Sequence, residues 1–286
     1  MNGRERVWSA LKKGTLDRPP KGEILITDDF IKKFPGNDLE AVVTCINADL
    51  VTLPVDKSFS KHQWRRWCSK DYFIFGFVQG PFNTILSQIG WRNLSLLIVK
   101  KPWEAEKLMC ELVSSFLPQI NSALDCGCDG IVIADDLAGN QGLLVSPAFL
   151  EQYYFPLIAA LLAKSNCENV PFLFHSDGNI AGVVPGLSQI GFWGIQSLQP
   201  SVGLKATSFP EELMGNWCFW GNFEFENFIE LKTALQVEKE VFATLKSWSG
   251  TPGYIFGSSG GLYHGLNPET VKMGYAAVDR WGSCNK

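Results

Sequence analysis

A histidine and an aspartate two residues apart are the side chains of this sequence best suited to catalysis. His175 ends the apolar run FLF at residues 172–174, and Asp177 follows within the sequence HSDGN. Histidine has a pKa near neutrality and is the commonest metal ligand in proteins. A nearby carboxylate can share a metal ion with the imidazole, or accept its ring N–H and fix the tautomer. The alternative is a loop histidine followed by Asp177 as the cap of the next helix.

Two adjacent aspartates close another apolar run. Asp135 and Asp136 end the segment GIVIADD. Neighbouring side chains of a strand point in opposite directions, so only one of the two needs to face a binding site. We assign Asp136 to catalysis together with His175 and Asp177, and Asp135 to substrate binding. A purely structural role in the following loop is the alternative.

Other apolar runs of the chain also end in polar residues. In closed α/β barrels the active site lies at the carboxyl ends of the strands, so these positions predict one shared polar edge. Asp56 taken alone is more typical of a turn aspartate, and the loop FGSSGG at residues 256–261 suits a tight turn as well as an anion site. The candidate substrate-binding residues are Asp56, Gln79, Asp135, Gln199, Asn222 and Ser258.

The elements that must position these side chains are short β-rich runs that alternate with helical patterns. Such runs are typical of strands buried on both faces, and their alternation with helices predicts a parallel sheet. Eight strands in this length predict a (β/α)8 barrel; an open doubly wound sheet is the alternative, but no GxGxxG follows the first strand. The predicted strands cover residues 23–27, 49–54, 72–78, 130–134, 171–175, 193–198, 217–220 and 254–256.

Helices are predicted where apolar residues recur at helical spacing or where a start signal occurs. An extra amino-terminal helix is expected before the first strand, and Ser146 with Pro147 opens another helix. The predicted helices cover residues 4–13, 103–124, 146–163, 180–190 and 228–245, with a last one from residue 268.

Length and composition limit the class of protein. The chain has 286 residues, 46% of them hydrophobic, and we expect a single domain over residues 1–286. The formal charge is −4 and no long basic run occurs, which argues against nucleic-acid binding. The longest clean apolar stretch, residues 155–163, is shorter than the roughly 20 residues that span a bilayer. We expect a cytoplasmic protein with reduced cysteines that does not bind membranes.

Several segments resemble the uroporphyrinogen decarboxylase superfamily, especially its corrinoid-dependent methyltransferase branch. The opening RERVWSALKKGTLDRPP is similar to the start of these proteins. GIVIADDLAGNQGLLVSPAFLEQYYFP resembles the DD-x-G-x-Q…SP-x-x-F…P segment of that branch, and FLFHSDGNI with GIQSLQP resembles its H-S-C-G-N…S-x-Q-P segment. The agreement in order and spacing extends from residue 4 to the end.

The resemblance implies a (β/α)8 barrel that meets a partner corrinoid protein carrying methylcobalamin. In thiol-methylating members it implies a zinc ion, held by H-x-C and a later cysteine, that activates the acceptor thiol. This chain keeps His175 as a metal ligand but has Asp177 in place of the cysteine, and its last-strand loop GSSGGLYHG has none. Any metal would need harder ligands, so we expect a small methyl donor or acceptor such as a methoxyl compound, a methylamine or a folate rather than coenzyme M.

Two other readings stay open. The decarboxylase branch needs arginines that bind the acetate and propionate groups of a tetrapyrrole, and after Pro20 this chain reads KGEILITDDF instead. Asp56, however, falls where the decarboxylases carry a pyrrole-binding aspartate. The third reading is a non-catalytic barrel that binds corrinoid or another ligand. The sequence leaves the oligomeric state open, a homodimer included.

Overall fold

The computed structural model describes residues 1–165, 169–228 and 233–284. Its strands are β1 Leu50–Pro54, β2 Phe73–Gln79, β3 Gly130–Ala134, β4 Ala138–Gly139, β5 Gly142–Leu143, β6 Phe172–His175, β7 Gly194–Ser197, β8 Cys218–Phe223 and β9 Tyr254–Ser258. Its α-helices are α1 Gly3–Leu11, α2 Asp28–Ile31, α3 Leu39–Cys45, α4 Lys61–Cys68, α5 Pro81–Lys100, α6 Pro102–Asp125, α7 Pro147–Phe149, α8 Phe155–Lys164, α9 Val184–Gln189, α10 Glu211–Asn216, α11 Ala234–Ser247 and α12 Pro268–Cys284.

The chain divides into two compact units. The terminal unit comprises Met1–Thr52, Lys70–Phe73 and Gln196–Lys286, and the central unit comprises Leu53–Ser69 and Ile74–Ile195. The single domain expected over residues 1–286 stays a prediction. Within the described residues, no helix is long and apolar enough to cross a bilayer.

The central unit contains neighbouring parallel strands whose carboxyl ends lie at the same edge. Strand β3 pairs with β2, with Gln79 opposite Ala134, and with β6, with Ala134 opposite His175. Every residue of β3 is buried, as expected for a strand covered on both faces. This register brings the residues that follow β3 beside the end of β6.

The terminal unit repeats the parallel arrangement. Strand β8 pairs with β9, which places Asn222 opposite Gly257 and Phe223 opposite Ser258. The α/β class with parallel strands is therefore confirmed. Seven of the eight predicted strands form, at positions close to those expected, whereas closure of eight strands into a barrel stays a prediction.

The predicted first strand, residues 23–27, is wrong as a continuous strand. Among the described residues, the segment has one isolated parallel bridge, between Ile26 and Leu262, and a second one joins Lys21, two residues before it, to Phe256. Between the bridges, the main-chain N–H of Ser258 donates to the carboxylate of Glu23 at 3.0 Å. A side chain thus takes the place of a main-chain ladder bond, and the regular pairing is interrupted.

The helical predictions are confirmed in part. Helices α1, α6 and α12 lie close to their predicted ranges, while the helix predicted over 180–190 is shortened to Val184–Gln189. The helix predicted over 228–245 appears as α11, and residues 229–232 lie outside the described residues. Helix α5, which has a non-helical residue at Gly90, was not predicted.

The predicted helix over 146–163 contains a π-helical turn at Leu150–Tyr154. The main-chain N–H of Phe155 donates to the carbonyl of Leu150, five residues back. The next residue is a proline, which has no N–H to continue the regular pattern, and π-turns of this kind are frequent at functional sites. The turn ends at Tyr154, whose side chain is completely buried.

Candidate functional site

The central unit brings together the three residues that the sequence assigned to catalysis. Asp136, His175 and Asp177 each offer one ligand atom, and these atoms lie within 4.8 Å of one another. His175 Nε2 is 3.8 Å from Asp136 Oδ1. The parallel register explains the grouping, because His175 is paired with Ala134 and Asp136 lies two residues after Ala134. Among the described residues this is the one group of acidic, histidine and cysteine side chains spaced to hold a metal ion.

Asp136 is held on both sides by hydrogen bonds. Its Oδ1 accepts the main-chain N–H of Asp177 at 2.9 Å, and its Oδ2 accepts Nδ2 of Asn83 at 3.0 Å. The Asn83 side chain also accepts the main-chain N–H of Asp136 at 3.1 Å. Side-chain exposure is 39% for Asp136 and 12% for His175, so the cluster is partly open. A ligand can reach it.

Asp135 points the other way and is completely buried. Its carboxylate accepts the Tyr154 hydroxyl at 2.6 Å and the main-chain N–H groups of Asn83 at 2.7 Å and Phe82 at 3.3 Å. Burial raises the pKa of Asp135 to about 7, although these hydrogen bonds oppose the shift. The two aspartates therefore differ as the strand geometry predicts, and Asp135 caps the amino terminus of α5.

The loop between His175 and Asp177 is fixed by its own polar contacts. Ser176 is fully buried, and its hydroxyl accepts the main-chain N–H of Leu137 and donates to the carbonyl of Asp177. Gly178 has φ +83°, and a side chain there would collide with the main chain of Ala138. The close approach of these two loops leaves Asp177 in a defined position beside Asp136.

The terminal unit contains a second buried polar cluster, around Glu23. Its carboxylate accepts hydrogen bonds from the Ser258 hydroxyl and main-chain N–H and from the Tyr275 hydroxyl. Gln196 Nε2 donates to the Ser258 carbonyl at 3.1 Å. Burial raises the pKa of Glu23 to about 7. Ser258, a predicted substrate-binding residue, is therefore bonded to a buried carboxylate.

Asn222 forms a second linkage inside the terminal unit. Its Nδ2 donates to the carbonyls of Leu198 and Leu204, and its Oδ1 accepts the Trp248 indole N–H at 2.8 Å. Ser197 and Leu198 have φ of +108° and +59°, a conformation unusual for residues with side chains. Asn222 holds this strained strand end, which precedes Gln199.

The remaining predicted substrate-binding residues differ in exposure. Gln79 and Asp56 are exposed, and Gln199 is half-buried. Asp56 accepts the main-chain N–H of Ser58 at 2.7 Å and also its hydroxyl, which is the turn geometry that its sequence context suggested. Their roles in substrate binding stay predictions.

Four residues of these clusters were not identified from sequence. Asn83 and Tyr154 contact the aspartate pair, and Glu23 and Tyr275 form the cluster at Ser258. An asparagine after Gly-Pro at a helix start, or a glutamate inside an apolar run, is a local signal for Asn83 and Glu23. Nothing local marks Tyr154 or Tyr275.

Most of the chain is similar to a known protein family. Residues 64–281 match the family described as Uroporphyrinogen decarboxylase (URO-D). This match covers most of the chain, and the chain therefore belongs to the uroporphyrinogen decarboxylase family.

Particular relatives are distant. A protein named "Uroporphyrinogen decarboxylase" from Anaeromyxobacter sp. (strain Fw109-5) is 24% identical over 221 residues, which are 72% of this chain and 58% of the relative. One of the same name from Anaeromyxobacter dehalogenans (strain 2CP-C) is 23% identical over 225 residues, 73% of this chain and 59% of the relative. The alignments thus span less than two thirds of either relative.

A solved structure described as a methyltransferase from Methanosarcina mazei shares the fold. Its TM-score is 0.77 at 17% sequence identity, and the match covers 98% of this chain and 99% of that chain. The two chains therefore share one α/β fold over nearly their whole length.

Proposed function

We propose that this chain is a corrinoid-dependent methyltransferase that moves a methyl group between a corrinoid on a partner protein and a small substrate. The observation that carries the proposal is the Asp136–His175–Asp177 cluster at the carboxyl ends of two parallel strands. Within it, His175 and Asp177 stand where the thiol-methylating relatives that the sequence resembles carry H-x-C. The full-length structural match to a methyltransferase supports the same branch of the family.

The cluster fits a divalent cation with hard ligands. One imidazole nitrogen and two carboxylate oxygens suit zinc, manganese or iron(II), and no thiol among the described residues joins the group. Asp136, His175 and Asp177 would hold the ion, which would supply Lewis-acid activation of an oxygen or nitrogen nucleophile. Without sulfur ligands the site favours a small methoxyl, amine or folate-type substrate over a thiol.

The side chains of the cluster have proton-transfer roles of their own. In the absence of a bound ion, His175 is placed to accept or deliver a proton at Nε2, and Asp136 Oδ1 lies 3.8 Å away to stabilise the imidazolium. Asp177 adds a second carboxylate on the same side. Asp135 does not share this role, because its buried carboxylate is fully engaged.

Decarboxylation of a porphyrinogen is the second candidate, because the curated relatives carry that name. Its substrate carries several carboxylates, which need matching cations. The arginines near the amino terminus are already paired, Arg6 with Asp17 and Asp49, and Arg18 with Asp49 and Asp279. This commitment to internal carboxylates disfavours the decarboxylase.

The test is a methylcobalamin assay with the purified chain. We expect candidate acceptors to convert the visible spectrum of methylcobalamin, and His175→Ala to abolish the conversion while the circular dichroism spectrum is unchanged. His62→Ala is the matched control, since His62 is exposed on helix α4. Full activity in His175→Ala would remove this histidine from the mechanism. Release of CO2 from uroporphyrinogen, without any methylcobalamin conversion, would establish the decarboxylase instead. If neither reaction is observed, the ligand-binding barrel is favoured.

A further inference from the structure

The side chain of Asn83 makes two hydrogen bonds to Asp136, one of the three residues of the cluster. It is the third residue of α5, and its side chain both donates to Asp136 Oδ2 at 3.0 Å and accepts the main-chain N–H of Asp136 at 3.1 Å. The Asp177 main-chain N–H binds the other carboxylate oxygen, Oδ1, at 2.9 Å. Both oxygens of Asp136 therefore have a fixed donor.

We propose that Asn83 is the positioning residue of the Asp136–His175–Asp177 cluster. With one oxygen held by Asn83 and the other by the Asp177 N–H, the carboxyl group cannot turn about its Cβ–Cγ bond. Oδ1, the oxygen 3.8 Å from His175 Nε2, is thereby kept on the histidine side. The catalytic meaning of this arrangement rests on the proposed function, but the positioning itself does not.

Asn83 can act in this way because its own main chain is anchored. Its N–H donates to the buried carboxylate of Asp135 at 2.7 Å. Helix α5 comes so close to strand β3 at this point that a side chain on Gly80, the residue before the helix, would overlap the same carboxylate. On the far side the Tyr154 hydroxyl binds Asp135 at 2.6 Å. Asn83 thus extends from a fixed helix terminus towards Asp136.

An asparagine with a purely structural role would bind the main chain of the loop without fixing the orientation of the Asp136 carboxylate. The two roles can be distinguished in the metal-free protein. Only if Asn83 orients the Asp136 carboxylate does the hydrogen bond from the Asp177 amide to that carboxylate depend on Asn83. The amide hydrogen bond to Asp136 would weaken when the carboxyl group is released. Metal affinity would fall as well, since partners that orient ligands typically contribute a factor of roughly 10 to 100.

The experiment compares Asn83→Ala with Asn93→Ala. Asn93 is an exposed residue of the same helix whose side chain donates to the carbonyl of Ile89, one turn back. In protein labelled with 15N-aspartate, we would assign the Asp177 amide by its loss in Asp177→Asn and measure its chemical shift and hydrogen exchange. The dissociation constant and visible spectrum of Co2+ would be measured on the same samples.

We expect the Asp177 amide of Asn83→Ala to shift upfield and to exchange at least about tenfold faster, with Asn93→Ala unchanged. We also expect Co2+ to bind roughly 10- to 100-fold more weakly to Asn83→Ala. An Asp177 amide identical to wild type would overturn the positioning role. If wild-type protein binds no Co2+, the metal part of the proposed function fails while the amide measurement still decides about Asn83. Asn83→Ser, whose hydroxyl is too short to make both bonds, serves if the alanine variant does not fold.

Discussion

The Tyr154 hydroxyl donates a 2.6 Å hydrogen bond to the buried carboxylate of Asp135. Both side chains are completely buried, and burial raises the pKa of each, that of Asp135 to about 7 and that of Tyr154 well above its usual range. The bond joins the π-helical turn at Leu150–Tyr154 to the end of strand β3. Asp135 in turn accepts the main-chain N–H of Asn83, the residue whose side chain binds Asp136 in the candidate site.

Tyr154→Phe tests the energetic weight of this bond. The substitution keeps the ring and leaves Asp135 with one donor fewer, which costs about 1–3 kcal/mol in the free energy of unfolding. Tyr153→Phe is the control, because Tyr153 is only half-buried. Urea unfolding of the two variants checks the prediction, and equal midpoints would show that the Asp135 carboxylate does not depend on Tyr154.

Gly80→Ala tests the close approach of helix α5 to strand β3. The backbone of Gly80, with φ −68°, accepts any residue, and the three atoms nearest to an added Cβ are those of the Asp135 carboxylate. We expect a loss of about 1–3 kcal/mol in stability, as in other overpacked sites. Gly215→Ala in helix α10 meets no atom within 4 Å and should stabilise by about 0.5 kcal/mol. Thermal unfolding of both variants distinguishes steric overlap from a general effect of glycine replacement.

The buried Glu23 predicts a pH-dependent contribution to stability. Its folded pKa is raised from 4.5 to about 7, so the folded state holds a proton that the unfolded state releases in this range. The contribution is complete below pH 4.5 and is lost as the pH rises through 7, by roughly 3 kcal/mol at most. Glu23→Gln should therefore flatten the fall in stability between these values.

The control for that experiment is Glu240→Gln, on an exposed part of helix α11. Urea unfolding at several pH values between 4.5 and 7 gives the slope for each protein. A slope in Glu23→Gln equal to that of wild type would mean that Glu23 is ionised in the folded state. The free-energy cost of burying the ionised carboxylate would then have to be offset by interactions other than its hydrogen bonds with Ser258 and Tyr275.

Asp177→Cys tests the hard-ligand character of the proposed metal site. A thiolate beside His175 prefers zinc to manganese, whereas a carboxylate discriminates less. We expect the ratio of zinc to manganese affinity to rise by at least about tenfold in Asp177→Cys, measured by competition titration. Glu240→Cys adds a thiol at an exposed position and should leave the ratio unchanged. An unchanged ratio in Asp177→Cys would show that residue 177 is not a ligand.

The sequence by itself determined the class of fold and the identity of the cluster. Apolar runs such as GIVIA at residues 130–134 can be satisfied only in a strand covered on both faces, and polar residues directly after such strands must lie at the carboxyl edge. Asp136, His175 and Asp177 were identified in this way, because each of them ends or follows such an apolar run. The same reasoning could not say which of Asp135 and Asp136 is buried.

The tertiary structure alone decided how the cluster is held. Asn83 reaches Asp136 across 53 positions of sequence and Tyr154 reaches Asp135 across 19, and neither contact leaves a periodic trace in the chain. The interrupted first strand has the same origin, because Glu23 is 235 positions from the Ser258 amide that it binds. Side-chain hydrogen bonds between distant segments depend on the exact approach of the backbones, which hydrophobic patterning does not specify. The hydrophobic pattern determines which helices and strands form, and the packing of these elements determines which side chains become hydrogen-bond partners.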